Sequence, residues 1–102
     1  MNATLKTSLI SDAKLRLRLH TNAFDEEIGD LIESAADDLL KRNAIQAEQI
    51  SDTTIAPLIK RAIMTYVRAF FGDPDNQERY KADYDEQKAT LMMTSGFTDW
   101  EE

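Results

Sequence analysis

The chain has 102 residues, enough for one domain with a single modest core and little room for a deep catalytic cleft. Hydrophobic residues make up 42% and charged residues 30%, with 3 Gly and 2 Pro, a balance that excludes a disordered chain and favours helix. The 19 acidic and 12 basic residues leave a net charge of −7, against DNA binding through the general surface; without Cys and with a single His, disulfides, thiolate metal sites and a His-based zinc site are excluded within one chain.

The opening stretch MNATLKTSLISDAK has no long apolar run of the secretory kind. No segment approaches the ~20 apolar residues of a membrane span, so an intracellular chain is expected. A single domain over 1–102 is expected, all-α, with a core over about 11–96 and a C-terminal tail over 97–102.

Four helical segments can be read. The first is a short helix from about Asp12 to Leu17, with Ser11 as N-cap and Ile10 and Leu15 as a hydrophobic staple. The stretch KLRLRLH alternates strictly, so a short edge strand competes with that helix. The second segment is the clearest. Phe24, Ile28, Leu31, Ile32, Ala35, Ala36, Leu39 and Leu40 fall on one face at the helical period. Asn22 is its expected cap; acids crowd its start and Lys41 and Arg42 close its end, as the helix dipole favours. Such a helix is about 28 Å long and would form the spine of the domain. Gly29 inside it predicts close approach by a neighbouring helix.

A linker follows, in which Ile45 and Ile50 are expected to tuck under the fold. The third helix begins near Thr54 with Pro57 in its first turn, where the missing N–H does no harm. Ile55, Leu58, Ile59, Ala62, Ile63, Tyr66, Val67 and Phe70 form its inner face, widened by Ala69 and Phe71, and it should be the most buried element. In AFFGDPDNQERY, Gly72 is the expected C-cap, Asp73 the next N-cap and Pro74 the first position of a fourth helix. That helix carries a thin stripe of Tyr80, Tyr84, Leu91 and either Gln87 or Lys88, and is expected to end at Gly96. Phe97 and Trp100 in the tail either fold back on the domain or dock on a partner.

No catalytic constellation emerges. As a calcium loop, the stretch from Asp73 places Glu78 where glycine is required and Tyr84 where the last glutamate is required, so helix punctuation is the better reading. The pairs Asp37–Asp38, Glu26–Glu27 and Glu101–Glu102 are adjacent in sequence and do not converge on a helix. Asp30, Glu33 and Asp37 read as a solvated face, and His20 as a surface residue. There is no P-loop, no GxGxxG and no GxSxG, so no catalytic, cofactor-binding or metal-binding residue is assigned and no cofactor is expected. The basic strip Lys14, Arg16, Arg18 is either a solvated strip or a contact for an acidic partner, for which the acidic second helix of a neighbouring copy is a candidate.

Three segments, SDAKLRLRLHTNAFDEEIGDLIESAADDLLKR, APLIKRAIMTYVRAFFG and ERYKADYDEQKATLMMTSGF, together resemble the small head–tail connector (adaptor) proteins of long-tailed bacteriophages. The likeness lies in a Lys-bearing helix with a Leu-Arg-Leu step, a Pro-led apolar helix with an Ile-Lys-x-Ala-Ile core, and a Tyr-bearing last helix; it covers about Ser11 to Phe97. The resemblance implies a bundle of about four helices and a non-enzymatic virion protein at the head–tail junction, made in the host cytoplasm. It implies a homo-oligomeric ring of about a dozen copies, self-assembled or templated by the portal protein, with a tail-side or stopper protein below. DNA would pass through the channel without specific binding, and no membrane is involved. The expected subunit and partner contacts are Lys14, Arg16, Arg18, Asp30, Glu33, Asp37, Phe97 and Trp100. The alternative is a small acidic helical regulatory module that binds one protein partner as a monomer or dimer.

Overall fold

The computed structural model describes the backbone of residues 1–71 and 74–101, and the side chains of residues 1–71 and 75–93. The described residues form four α-helices and no strand: α1 (Ala3–Leu17), α2 (Asp25–Lys41), α3 (Pro57–Phe70) and α4 (Gln77–Glu101). Short 3-10 turns at Ala47–Ile50 and Pro74–Asn76 precede α3 and α4. The all-α bundle expected from the sequence is the fold observed.

α1 starts nine residues before the predicted Asp12. Asn2 is its cap, with Oδ1 accepting from the backbone N–H of Thr4 (2.8 Å) and Leu5 (3.2 Å). Leu5, Leu9 and Ala13, four apart, form the buried face. Ser11 is therefore an exposed mid-helix residue and not a cap. Of the alternating leucines that suggested a strand, Leu15 and Leu17 lie in the last turn of α1 and Leu19 just beyond it, and Leu15 is 76% exposed.

α1 and α2 end in the same way. After α1, Arg18 N–H donates to Leu15 O and Leu19 N–H to Lys14 O; after α2, Asn43 N–H donates to Leu40 O and Ala44 N–H to Leu39 O. Arg18 (φ 59°) and Asn43 (φ 57°) both adopt the left-handed conformation this motif requires. Asparagine tolerates it, whereas arginine pays about 1–2 kcal/mol in steric strain.

α2 follows its predicted span, but its cap differs. Phe24 occupies the N-cap with no side-chain hydrogen bond, because Asn22 Oδ1 instead accepts from Lys14 Nζ at 2.6 Å. The neighbour expected at Gly29 is α1: a Cβ there would lie 3.0 Å from Lys6 Cε and 3.3 Å from Ile10 Cδ1. Ile28, Ile32, Ala35, Ala36 and Leu39 meet Ile59, Ala62, Ile63 and Val67 of α3 in the buried core. Ile45 and Ile50 of the linker join that core as expected.

α3 packs on both α2 and α4 and begins at Pro57, three residues after the expected Thr54, with the proline at its first position, where the missing N–H costs nothing. Two residues assigned to its inner face lie outside: Leu58 is 53% and Phe70 45% exposed. They sit at the two ends of the helix, where α4 covers them only in part. α4 presents Tyr84 and Leu91 to the core. It runs through the predicted stop at Gly96 to Glu101, since a single glycine costs only about 1 kcal/mol and does not by itself end a helix. Gly72 and Asp73, the expected caps, lie outside the described residues.

Candidate interaction surfaces

The densest polar cluster joins α4 to α2. Asp38 Oδ2 accepts from the Tyr84 hydroxyl at 2.7 Å and from Lys88 Nζ at 3.1 Å, while Arg42 Nε lies 3.9 Å from Oδ1. The Tyr66 and Tyr84 rings meet edge to face at 5.1 Å, and Lys88 Nζ lies 5.0 Å from the Tyr84 ring centre. Burial works against a charged Asp38, but the hydrogen bonds from Tyr84 and Lys88 and the charges of Lys88 and Arg42 outweigh it and hold the carboxyl below its ordinary range. Burial, then the bond to Asp38, pushes the Tyr84 hydroxyl well above its ordinary value. Tyr66 is raised by burial and by the Asp38 charge.

This cluster fastens α4 to α2: the carboxylate favours its ionised form and the hydroxyl its protonated form, the pairing that a hydrogen bond from Tyr84 to Asp38 needs. Sequence reasoning missed it because it weighed Asp38 only as the neighbour of Asp37, as a pair that does not converge, and sought no partner for it on another helix. The readable signal was Lys88, one turn from Tyr84 on the inward stripe of α4. A lysine there needs a carboxylate on the facing helix.

The predicted contact residues are dispersed. Lys14 is held within the chain, bonding Asn22 and pairing with Asp25 at 3.0 Å. Glu33 pairs with Lys6 at 3.3 Å and Asp37 with Lys41 at 3.0 Å. Arg16, Arg18 and Asp30 are exposed, as are Glu26 and Glu27 beside Asp30 on α2. The side chains of Phe97 and Trp100 lie outside the described residues. His20 is exposed, as expected.

A second ring cluster surrounds the break before α4. Arg68 donates to the Tyr80 hydroxyl at 3.0 Å and lies over its ring, and Lys81 lies over Phe70. Phe24 meets Phe71 edge to face at 5.5 Å, joining the start of α2 to the end of α3. Among the described residues no group of three or more His, Cys, Asp or Glu could hold a metal ion, and no helix is long and apolar enough to cross a membrane.

The described residues form a small all-α bundle with a charged surface and a polar tie between α2 and α4. The chain matches the family model of the phage connector proteins over residues 9–98, nearly its whole length, and it belongs to that family. The family is structural and implies a role at the phage head–tail junction and a place in the virion. No curated protein and no solved structure matches the chain.

Proposed function

We propose that this chain is a head–tail connector that assembles as a ring of about a dozen identical copies beneath the portal and extends the DNA channel toward the tail. The family match over residues 9–98 carries this reading. The surface chemistry supports it. A net charge of −7, with Glu26, Glu27 and Asp30 exposed on α2, gives a wall that repels phosphate and lets DNA slide past. Arg16 and Arg18 supply exposed positive charge for contacts with acidic surfaces, and Phe97 and Trp100 supply apolar anchors toward the portal. No step in this role needs a reacting group.

The test is co-sedimentation with purified portal rings from the same phage. The chain should pellet with them in a fixed ratio, and electron microscopy should show an added ring on one face of the portal. A chain that stays in the supernatant and is missing from purified virions would overturn the reading. Deleting residues 97–102 should weaken portal docking; unchanged docking would remove Phe97 and Trp100 from it.

A further inference from the structure

Of the six lysines and six arginines, Arg16, Arg18 and Arg61 alone have neither an ion pair nor a ring contact among the described residues. Two of them, Arg16 and Arg18, follow Leu15, which is 76% exposed, at the C-terminal end of α1. Arg18 also stands in the left-handed position that the matching motif after α2 fills with Asn43. Among the described residues no contact to its side chain repays an arginine there. This turn is a knob with one apolar residue and two unmatched charges.

The seam between α3 and α4 carries the complement. Two adjoining hollows of about 290 and 110 Å³ share Arg61, Gln87 and Thr90. Leu58, 53% exposed, stands at one edge, and the carboxylates of Asp83 and Glu86, in no ion pair among the described residues, stand at the other. The Gln87 side-chain oxygen is buried there and accepts no hydrogen bond.

We propose that the last turn of α1 in one copy docks into this α3–α4 seam of the next. Leu15 covers Leu58, Arg16 and Arg18 meet Asp83 and Glu86, and an arginine N–H reaches the unpaired oxygen of Gln87. The seam sets two carboxylates against one arginine, Arg61, and so keeps an excess of negative charge for the two arginines of the knob; the occupant is a second copy of this chain. The two patches differ, so the contact is head-to-tail and repeats around a ring. The inference rests on the ring proposed above and names its subunit contact.

Native mass spectrometry from low to high micromolar tests it, with Arg18→Gly, Arg18→Glu, Glu86→Lys and the double reversal Arg18→Glu/Glu86→Lys. Each single reversal should raise the concentration needed for oligomers about tenfold, and the double reversal should restore assembly. Arg18→Gly should weaken assembly while raising the melting temperature, a pair of effects that a purely structural role for Arg18 does not give. Because the chain has no Cys, Leu15→Cys copies mixed with Leu58→Cys copies should form a disulfide under mild oxidation, and mixtures with Asp30→Cys should not. Rings that form undisturbed in every variant, without the 15–58 disulfide, would overturn this contact and leave the ring standing. An unaltered chain that is monomeric at all concentrations and gives no disulfide would overturn it too, while pelleting with portal rings would still uphold the connector role.

Discussion

α2 and α4 both pack on α3, and they are held by different physics. The α2–α3 contact is dry: Ile28, Ile32, Leu39, Ile59 and Ile63 are essentially without solvent exposure. α4 presents two buried residues among those described, Tyr84 and Leu91, and adds the polar tie to Asp38 on α2. The first contact draws on non-directional burial of apolar area and tolerates imprecise geometry. The second adds to extensive packing on α3 a few oriented groups, each of which costs stability if its partner is lost. The α2–α3 contact is apolar throughout; the α4 contact is part apolar and part polar.

The sharpest way to break this contrast is to empty the core. Ile32→Ala or Ile63→Ala should cost about 2–5 kcal/mol in urea unfolding and destabilise all four helices together. Asp38→Ala strands the Tyr84 hydroxyl and the Lys88 ammonium and should cost about 1–3 kcal/mol. Its signature is local, with faster amide exchange in α4 than in α2 or α3. Equal acceleration in all helices would erase the distinction between the two contacts. Tyr84→Phe keeps the ring and the Lys88–Asp38 pair, and should cost only about 1 kcal/mol.

Acid gives a graded version of the Asp38 variant. A carboxyl held below its ordinary range contributes its full stability above the unfolded value of about 4 and loses it as the pH falls through the lowered folded value. The stability gap between the unaltered chain and Asp38→Asn should therefore be constant above about pH 5 and close below pH 4. A gap that widened in acid would mean that Asp38 is not held ionised. Gly29→Ala should change stability least, within about 0.5 kcal/mol. The helix gains from alanine, and the contact at 3.0 Å is with the mobile end of Lys6, although Ile10 must also yield slightly.

What could be read from the sequence follows the same divide. The faces of α2 and α3 were legible because apolar burial leaves a periodic trace, and the exposure of Leu58 and Phe70 was not, because periodicity does not say where a neighbouring helix stops. The first half of α1 was lost because threonine and serine fill its outer face and its cap is the second residue. Leu5, Leu9 and Ala13 were spaced for a helix all along. The Asp38–Tyr84–Lys88 tie was invisible because it joins residues 46 and 50 apart by hydrogen bonds, which leave no period. The family resemblance drawn from the order of the segments agrees with the match over 9–98.

Asn2 has a consequence for the order of folding. Its side chain caps α1, while its own N–H donates to Ile50 O at 3.2 Å and its amide reaches Ser51 O, 49 residues away. The first turn of α1 is local in the chain, yet its anchor is available only after α2 has been traversed and a long loop closed. Nucleation should therefore fall to the α2–α3 pair, with the start of α1 zipping up last and becoming the first turn to let go under load.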